Sequence, residues 1–211
     1  MKDVYFISGL GADERVFSFL KLENIRQHHI HWIAPEPHEP LQAYSGRLLS
    51  QIKTKRPVIV GISFGGIMAA EIGKLLASEK IILISSVKTR HQLPFYLRAA
   101  GKLRLHYLLP KFLMQKTNGV VYWLFGVRSK PEKELLRSVI RDSDPVFTKW
   151  AIGKILRWEN TEILPNSVSI HGTKDQLLPY TKADFTVMNG GHLMIVSHAA
   201  EVSDLLNKIL K

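Results

Sequence analysis

Cysteine is absent from the sequence, which excludes disulfides, thiolate metal sites and a cysteine nucleophile. Long apolar runs are absent too. No stretch reaches the roughly 18–20 apolar residues of a membrane-spanning helix, so no membrane span is expected. The opening residues, MKDVYFISGLG, make a poor secretory signal. Asp3 interrupts them, the apolar run is short and no small-residue cleavage site follows, so a cytoplasmic location is the expectation. Neither G-x-x-x-x-G-K-S/T nor G-x-G-x-x-G occurs, which leaves nucleotide binding without a motif. The nine histidines form no H-E-x-x-H pattern and no dense carboxylate cluster stands out, so neither a metal nor an organic cofactor is expected. His28, His29 and His31 read as solvated loop residues at the start of a strand. Acidic residues are absent from one long segment: between Lys88 and Lys130 stand nine Lys and Arg, Lys111 among them, and no Asp or Glu. That segment carries most of the formal net charge of +11.

What is present suits a single globular domain spanning residues 1–211. A chain of 211 residues with 45% hydrophobic and 22% charged content can bury a core without metal or disulfide staples. Short runs rich in Val and Ile alternate with helix-patterned segments, the pattern of an α/β protein with a mostly parallel sheet of about six strands covered on both faces. Strands are predicted at Val4–Ile7, Ile30–Ile33, Val58–Ile62, Ile81–Ser85, Ser167–His171 and Phe185–Met188. Helices are predicted at Leu41–Lys53, Phe64–Leu76 and Ala199–Leu210, the last with Ala199, Val202, Leu205, Leu206 and Ile209 on one stripe. The alternation breaks between Ser86 and Asn166. There Pro131, followed by Glu132 and Glu134, opens one helix, and Asp144-Pro145 opens another. Residues 88–160 are therefore expected to form a helical cap inserted into the sheet domain.

Four short motifs carry chemistry: SGLG at Ser8–Gly11, GISFG at Gly61–Gly65, HGTKD at His171–Asp175 and NGGH at Asn189–His192. GISFG lies directly between a predicted strand and a predicted helix, where a G-x-S-x-G serine is held on a sharp turn. Serine is a weak nucleophile as a neutral alcohol and needs a base to take its proton. The plainer alternative is a glycine-rich turn with an ordinary serine. His192 follows the last predicted strand and Asp175 the one before it.

With these motifs in this order, the chain resembles a small member of the α/β-hydrolase superfamily over nearly its whole length. The resemblance implies the order Ser…Asp…His, with Ser63 as nucleophile, His192 as general base and then acid, and Asp175 fixing the imidazole tautomer. It also implies an oxyanion hole built from the backbone N–H groups of Leu10 and Phe64. Many members have His-Gly after the first strand, where this chain has Ser8-Gly9. Asp184 and His198 are weaker candidates for the acid and base. Asp144 is explained as a helix cap. Asp13, Glu14, Arg15 and Phe17 read either as a capped helix start or as residues at the site entrance.

The basic segment interleaves its cations with Phe95, Tyr96, Tyr107, Phe112, Tyr122, Trp123 and Phe125. In the ordinary reading the aromatics pack the cap onto the sheet and the cations cover its outer face. In a sharper one, one or two cations meet an anionic small-molecule acyl substrate. The leading expectation is a serine hydrolase cleaving an ester, thioester or similar acyl bond. An amidase, peptidase or C–C bond hydrolase, or a binding protein with an idle triad, would use the same fold. Nucleic acid is not an expected partner, because no motif supports it.

Overall fold

The computed structural model describes residues 1–108, 110 and 114–211; Lys111 and Phe112 of the basic segment lie outside the described residues. Six strands form one sheet: β1 (Lys2–Ile7), β2 (Ile25–Ile30), β3 (Val58–Ile62), β4 (Lys80–Ile84), β5 (Ser167–Gly172) and β6 (Phe185–Val187). Every pairing is parallel, in the order β2-β1-β3-β4-β5-β6. The helices are α1 (Leu41–Leu48), α2 (Phe64–Leu75), α3 (Phe95–Lys102), α4 (Gly119–Phe125), α5 (Lys130–Asp142), α6 (Pro145–Leu156), α7 (Met194–Ser197) and α8 (Ala199–Leu210). None is long and apolar enough to cross a membrane among the described residues.

Alternating strand residues point to opposite faces, so a sheet covered on both sides must be apolar at every position. Val4 and Phe6 of β1, Val58, Val60 and Ile62 of β3, and Ile82 and Ile84 of β4 pack with Val202, Leu206 and Ile209 of α8. Their neighbours Tyr5, Ile7, Ile59, Ile81 and Leu83 pack the other way, with Tyr44 and Leu48 of α1 and Ile67, Met68 and Ile72 of α2. This is why β3 and β4 read as unbroken apolar runs.

The edge strand β2 departs from expectation. It runs over Ile25–Ile30, not Ile30–Ile33, and its polar interior reflects its place at the sheet margin. His28 and His29 therefore lie within the strand instead of in a loop. His28 stacks on Tyr5 and bonds Asp3 at 2.7 Å, and His29 lies against Phe6 and Phe17. The predicted helix Leu41–Lys53 also ends early: α1 stops at Leu48 and tightens into a 3₁₀ turn over Leu49–Gln51.

Between β4 and β5, the described residues hold α3, α4, α5 and α6 and no strand. Asp144 caps α6 through a 2.8 Å bond from the Val146 amide, with Pro145 in the first turn. Ser129 and Glu132 form a capping box at the start of α5. A buried hydrogen bond and an aromatic cluster are among the contacts that tie this helical segment to the sheet domain. Trp158 Nε1, just past α6, donates to the buried Glu71 carboxylate of α2 at 2.7 Å. Trp32, Tyr44, Phe64, Phe147 and Trp150 form a connected aromatic cluster below it.

Candidate active site

Ser63 stands alone between the end of β3 and the start of α2. Its backbone is left-handed, with φ 52° and ψ −118°. The turn is held from both sides: the Ser63 amide donates to the Ile84 carbonyl at 2.9 Å, and the Ser63 carbonyl accepts from Ser86 Oγ at 2.7 Å. Both flanking glycines are required by close backbone approach. A Cβ on Gly61 would lie 2.2 Å from the Gly65 carbonyl oxygen, and one on Gly65 would lie 2.2 Å from that of Ile7. Spacing in the motif therefore follows from the start of α2 pressing against the ends of β3 and β1.

The two later motifs meet at this serine. His192 Nε2 lies 2.9 Å from Ser63 Oγ, and His192 Nδ1 lies 2.8 Å from Asp175 Oδ2. An ionised carboxylate only accepts hydrogen bonds, so Nδ1 is the donor and Nε2 is left to accept the Ser63 proton. Asp175 Oδ1 is occupied by the amides of Leu177 at 3.0 Å and Leu178 at 2.8 Å. Burial opposes charge on Asp175, yet the His192 ring, the bonds from both histidines and the Leu178 amide hold its carboxyl well below the usual carboxylate range. The loops that carry the acid and the base are joined to each other. Asn189 N donates to Thr173 Oγ1 at 2.9 Å, and Lys174 N donates to the Gly190 carbonyl at 2.9 Å.

Sequence reasoning missed one histidine here. His171, four residues before Asp175 in HGTKD, is buried at 6% exposure. Its Nε2 donates to the Leu178 carbonyl at 2.8 Å and lies 3.3 Å from Asp175 Oδ2. Burial disfavours the charged ring, but the Asp175 bond and charge and the Leu178 and Ser86 carbonyls raise its pKa above the ordinary value. Phe125 of α4 was read only as a cap aromatic. Its ring meets the His192 ring edge-on at 5.4 Å, and its carbonyl accepts from the Leu193 amide at 2.9 Å.

Leu10 and Phe64 both border the space in front of Ser63. Among the described residues, neither backbone amide donates to a protein group. Ser8, which replaces the more usual histidine, is buried and fixes the loop by donating to the Ala12 carbonyl at 2.7 Å. The remaining candidates are engaged elsewhere. Asp184 bonds Lys88 and Ser169 at the start of β6, and His198 bonds Ser197. Asp13 caps the 3₁₀ turn Glu14–Phe17, Arg15 bridges Asp13 to Asp142, and Phe17 is buried.

Ser63 opens into a cavity of about 280 Å³. Leu97, Phe125, Leu136, Val139, Ile140, Ile152, Ile155 and Leu156 of the helical segment line it from one side, and Val16, Ile62, Ile67, Leu177 and Leu178 are among the other residues of its wall. Among the described residues, Ser63 and His192 are the lining residues with polar side chains, and no Lys, Arg, Asp or Glu lines it.

No protein-family model matches the chain, and no curated protein does. Solved structures do. An esterase from Thermogutta terrifontis is 15% identical, with 100% of this chain and 89% of that one aligned and a TM-score of 0.69. A bromoperoxidase from Bacillus anthracis is 16% identical over 99% of this chain and 91% of its own, with a TM-score of 0.68. A meta-cleavage product hydrolase from Pseudomonas fluorescens IP01 is 16% identical over 100% and 90%, with a TM-score of 0.66. At such identities it is the architecture that is shared: the chain has the α/β-hydrolase fold.

Proposed function

We propose that the chain is a serine hydrolase that cleaves an uncharged ester or thioester with an apolar acyl chain. The observation that carries this reading is the hydrogen-bond chain Asp175–His192–Ser63 ending in a cavity that no other polar side chain lines among the described residues. Ser63 Oγ attacks the acyl carbonyl while His192 Nε2 takes its proton. The resulting oxyanion is met by the Leu10 and Phe64 amides, backbone donors that bond no protein acceptor among the described residues. Collapse expels the alcohol or thiol, protonated by His192, and leaves an acyl-enzyme on Ser63. Water, deprotonated by the same imidazole, then releases the acid. Asp175 holds the ring in its working tautomer and offsets the charge of the imidazolium.

The lining selects the substrate. A carboxylate or phosphate buried among these aliphatic walls would lose its hydration without a partner. An acyl chain gains instead: each buried methylene is worth about 0.8 kcal/mol, or about fourfold in kcat/KM. A non-catalytic role would leave the strained Ser63 turn without a purpose, and such strain persists where function uses it. A series of p-nitrophenyl esters from acetate upward tests the reading. Specificity should rise by about fourfold per methylene until the cavity fills, then fall, and Ser63→Ala should abolish turnover. A flat series, or a preference for carboxylate-bearing acyl groups, would contradict it.

A further inference from the structure

Eight of the fifteen large apolar side chains exposed among the described residues fall between Phe95 and Trp123, within the segment that has no acid. Most of them belong to α3 and the turn after it. The inner face of α3 is committed: Leu97 lines the cavity, and Gly101 sits so close to α6 that an added Cβ would lie 2.1 Å from the Leu156 carbonyl oxygen. Its outer face carries Phe95 and Lys102, with Leu103 following at the helix end. Arg104 then takes a left-handed conformation, φ 55°, and the chain turns through Leu105–Leu108 against α3. Within that turn His106 is buried beside Gly153 of α6, while its neighbours point outward. Phe95, Leu103 and Leu108 are 75%, 70% and 78% exposed. Lys102 and Arg104 are exposed among them and form no ion pair with an acid among the described residues.

We propose that the outer face of α3 and the turn Leu105–Leu108 dock onto an anionic lipid bilayer. Clustered exposed apolar side chains mark a contact surface, and aliphatic ones gain by entering the acyl boundary. Cations among them add attraction to an anionic leaflet, about fivefold in affinity for each Lys or Arg near the surface. The absence of any acid across 88–130 means that the segment itself brings no carboxylate to oppose this. Other partners fit less well. Nucleic acid would use the cations and aromatics but gives Leu103, Leu105 and Leu108 nothing to bury against. A second copy of the chain would bring like charges together. Docking would also place the bilayer on the reverse side of the helix whose Leu97 lines the Ser63 cavity. The proposal stands without any chemistry at Ser63.

The test is cosedimentation of the full chain with sucrose-loaded vesicles, either phosphatidylcholine alone or an equal mixture with phosphatidylglycerol, at physiological salt. The protein should sediment with the anionic vesicles and stay free of the neutral ones. The pair Lys102→Gln/Arg104→Gln should weaken binding by about 25-fold, from fivefold per cation, and Phe95→Ser/Leu108→Ser should weaken it at least tenfold at unchanged net charge. Unfolding midpoints of the variants, all at exposed positions, verify that they fold. Failure to sediment with anionic vesicles would overturn the proposal, as would binding that both pairs leave unchanged. Binding to single-stranded RNA that equals vesicle binding, falls with the charges and ignores Phe95→Ser/Leu108→Ser would reassign the surface to nucleic acid.

Discussion

Ser63 occupies a backbone conformation that costs a non-glycine residue about 1–3 kcal/mol. Glycine at this position would relieve that strain while losing part of the gain to its greater freedom in the unfolded chain. Ser63→Gly should therefore abolish activity and raise unfolding stability by on the order of 1 kcal/mol. A lower urea midpoint would show that the turn is not strained. His171 makes a second residue-scale prediction. Its folded pKa is raised, so its pairing with Asp175 contributes full stability below the unfolded value and loses it as pH rises through the folded value. Asp175 is the charged group it touches; the Tyr180 ring is its aromatic neighbour. Half-buried His29 and buried His106 shift the opposite way, chiefly by burial, and weaken the fold as pH falls. Comparing wild type with His171→Gln isolates the pair. The stability gap should shrink as pH rises above the ordinary histidine value of about 6.5 and through the raised folded value. A constant gap would mean that His171 is not charged beside Asp175. The sequence disclosed Ser63, Asp175 and His192 because each follows a strand in a short recognisable motif. It did not disclose His171, whose role depends on the loop after β5 folding back to put residues four apart on the same carboxylate.

At the scale of elements, α2 links the serine to the helical segment. Glu71 lies on α2 at 1% exposure; its Oε1 accepts from Trp158 Nε1 and from Lys74 Nζ at 2.8 Å, whereas its buried Oε2 has no hydrogen-bond partner among the described residues. Trp158→Phe keeps most of the ring volume and removes the donor. It should cost about 1–3 kcal/mol, read as a lower urea midpoint, because a buried carboxylate whose Oε2 already has no partner loses one of the two donors to its Oε1. An unchanged midpoint would mean that the contact adds nothing. The same comparison shows which elements a sequence discloses. β3 and α8 were read to the residue, since one is buried on both faces and the other is strictly amphipathic. β2 was displaced because an edge strand with Arg26, Gln27, His28 and His29 carries no apolar run. Neither α3 nor α4 was located. Pro94 begins α3 without a side-chain cap, whereas Asn118 does cap α4, by accepting from Val121 N at 3.0 Å, a signal that was present and unread.

Across the whole molecule, the ends of β1, β3, β5 and β6 deliver Leu10, Ser63, Asp175 and His192 to one edge of the sheet. Parallel topology alone brings the carboxyl ends of strands together, which is where open α/β sheets hold their ligands. The cavity above them could not be read in advance, because its walls are ordinary Leu, Ile and Val drawn from four separate helices and several loops. Charge is partitioned in the other direction: among the described residues, no cation of 88–130 lines the cavity. Hydrolysis by this chain requires Ser63 to be an activated nucleophile. The direct test is intact-mass analysis after treatment with a fluorophosphonate, on wild type and Ser63→Ala. A single adduct on wild type and none on the variant is the predicted result. A folded wild type that takes no adduct, or an adduct that survives Ser63→Ala, would contradict it.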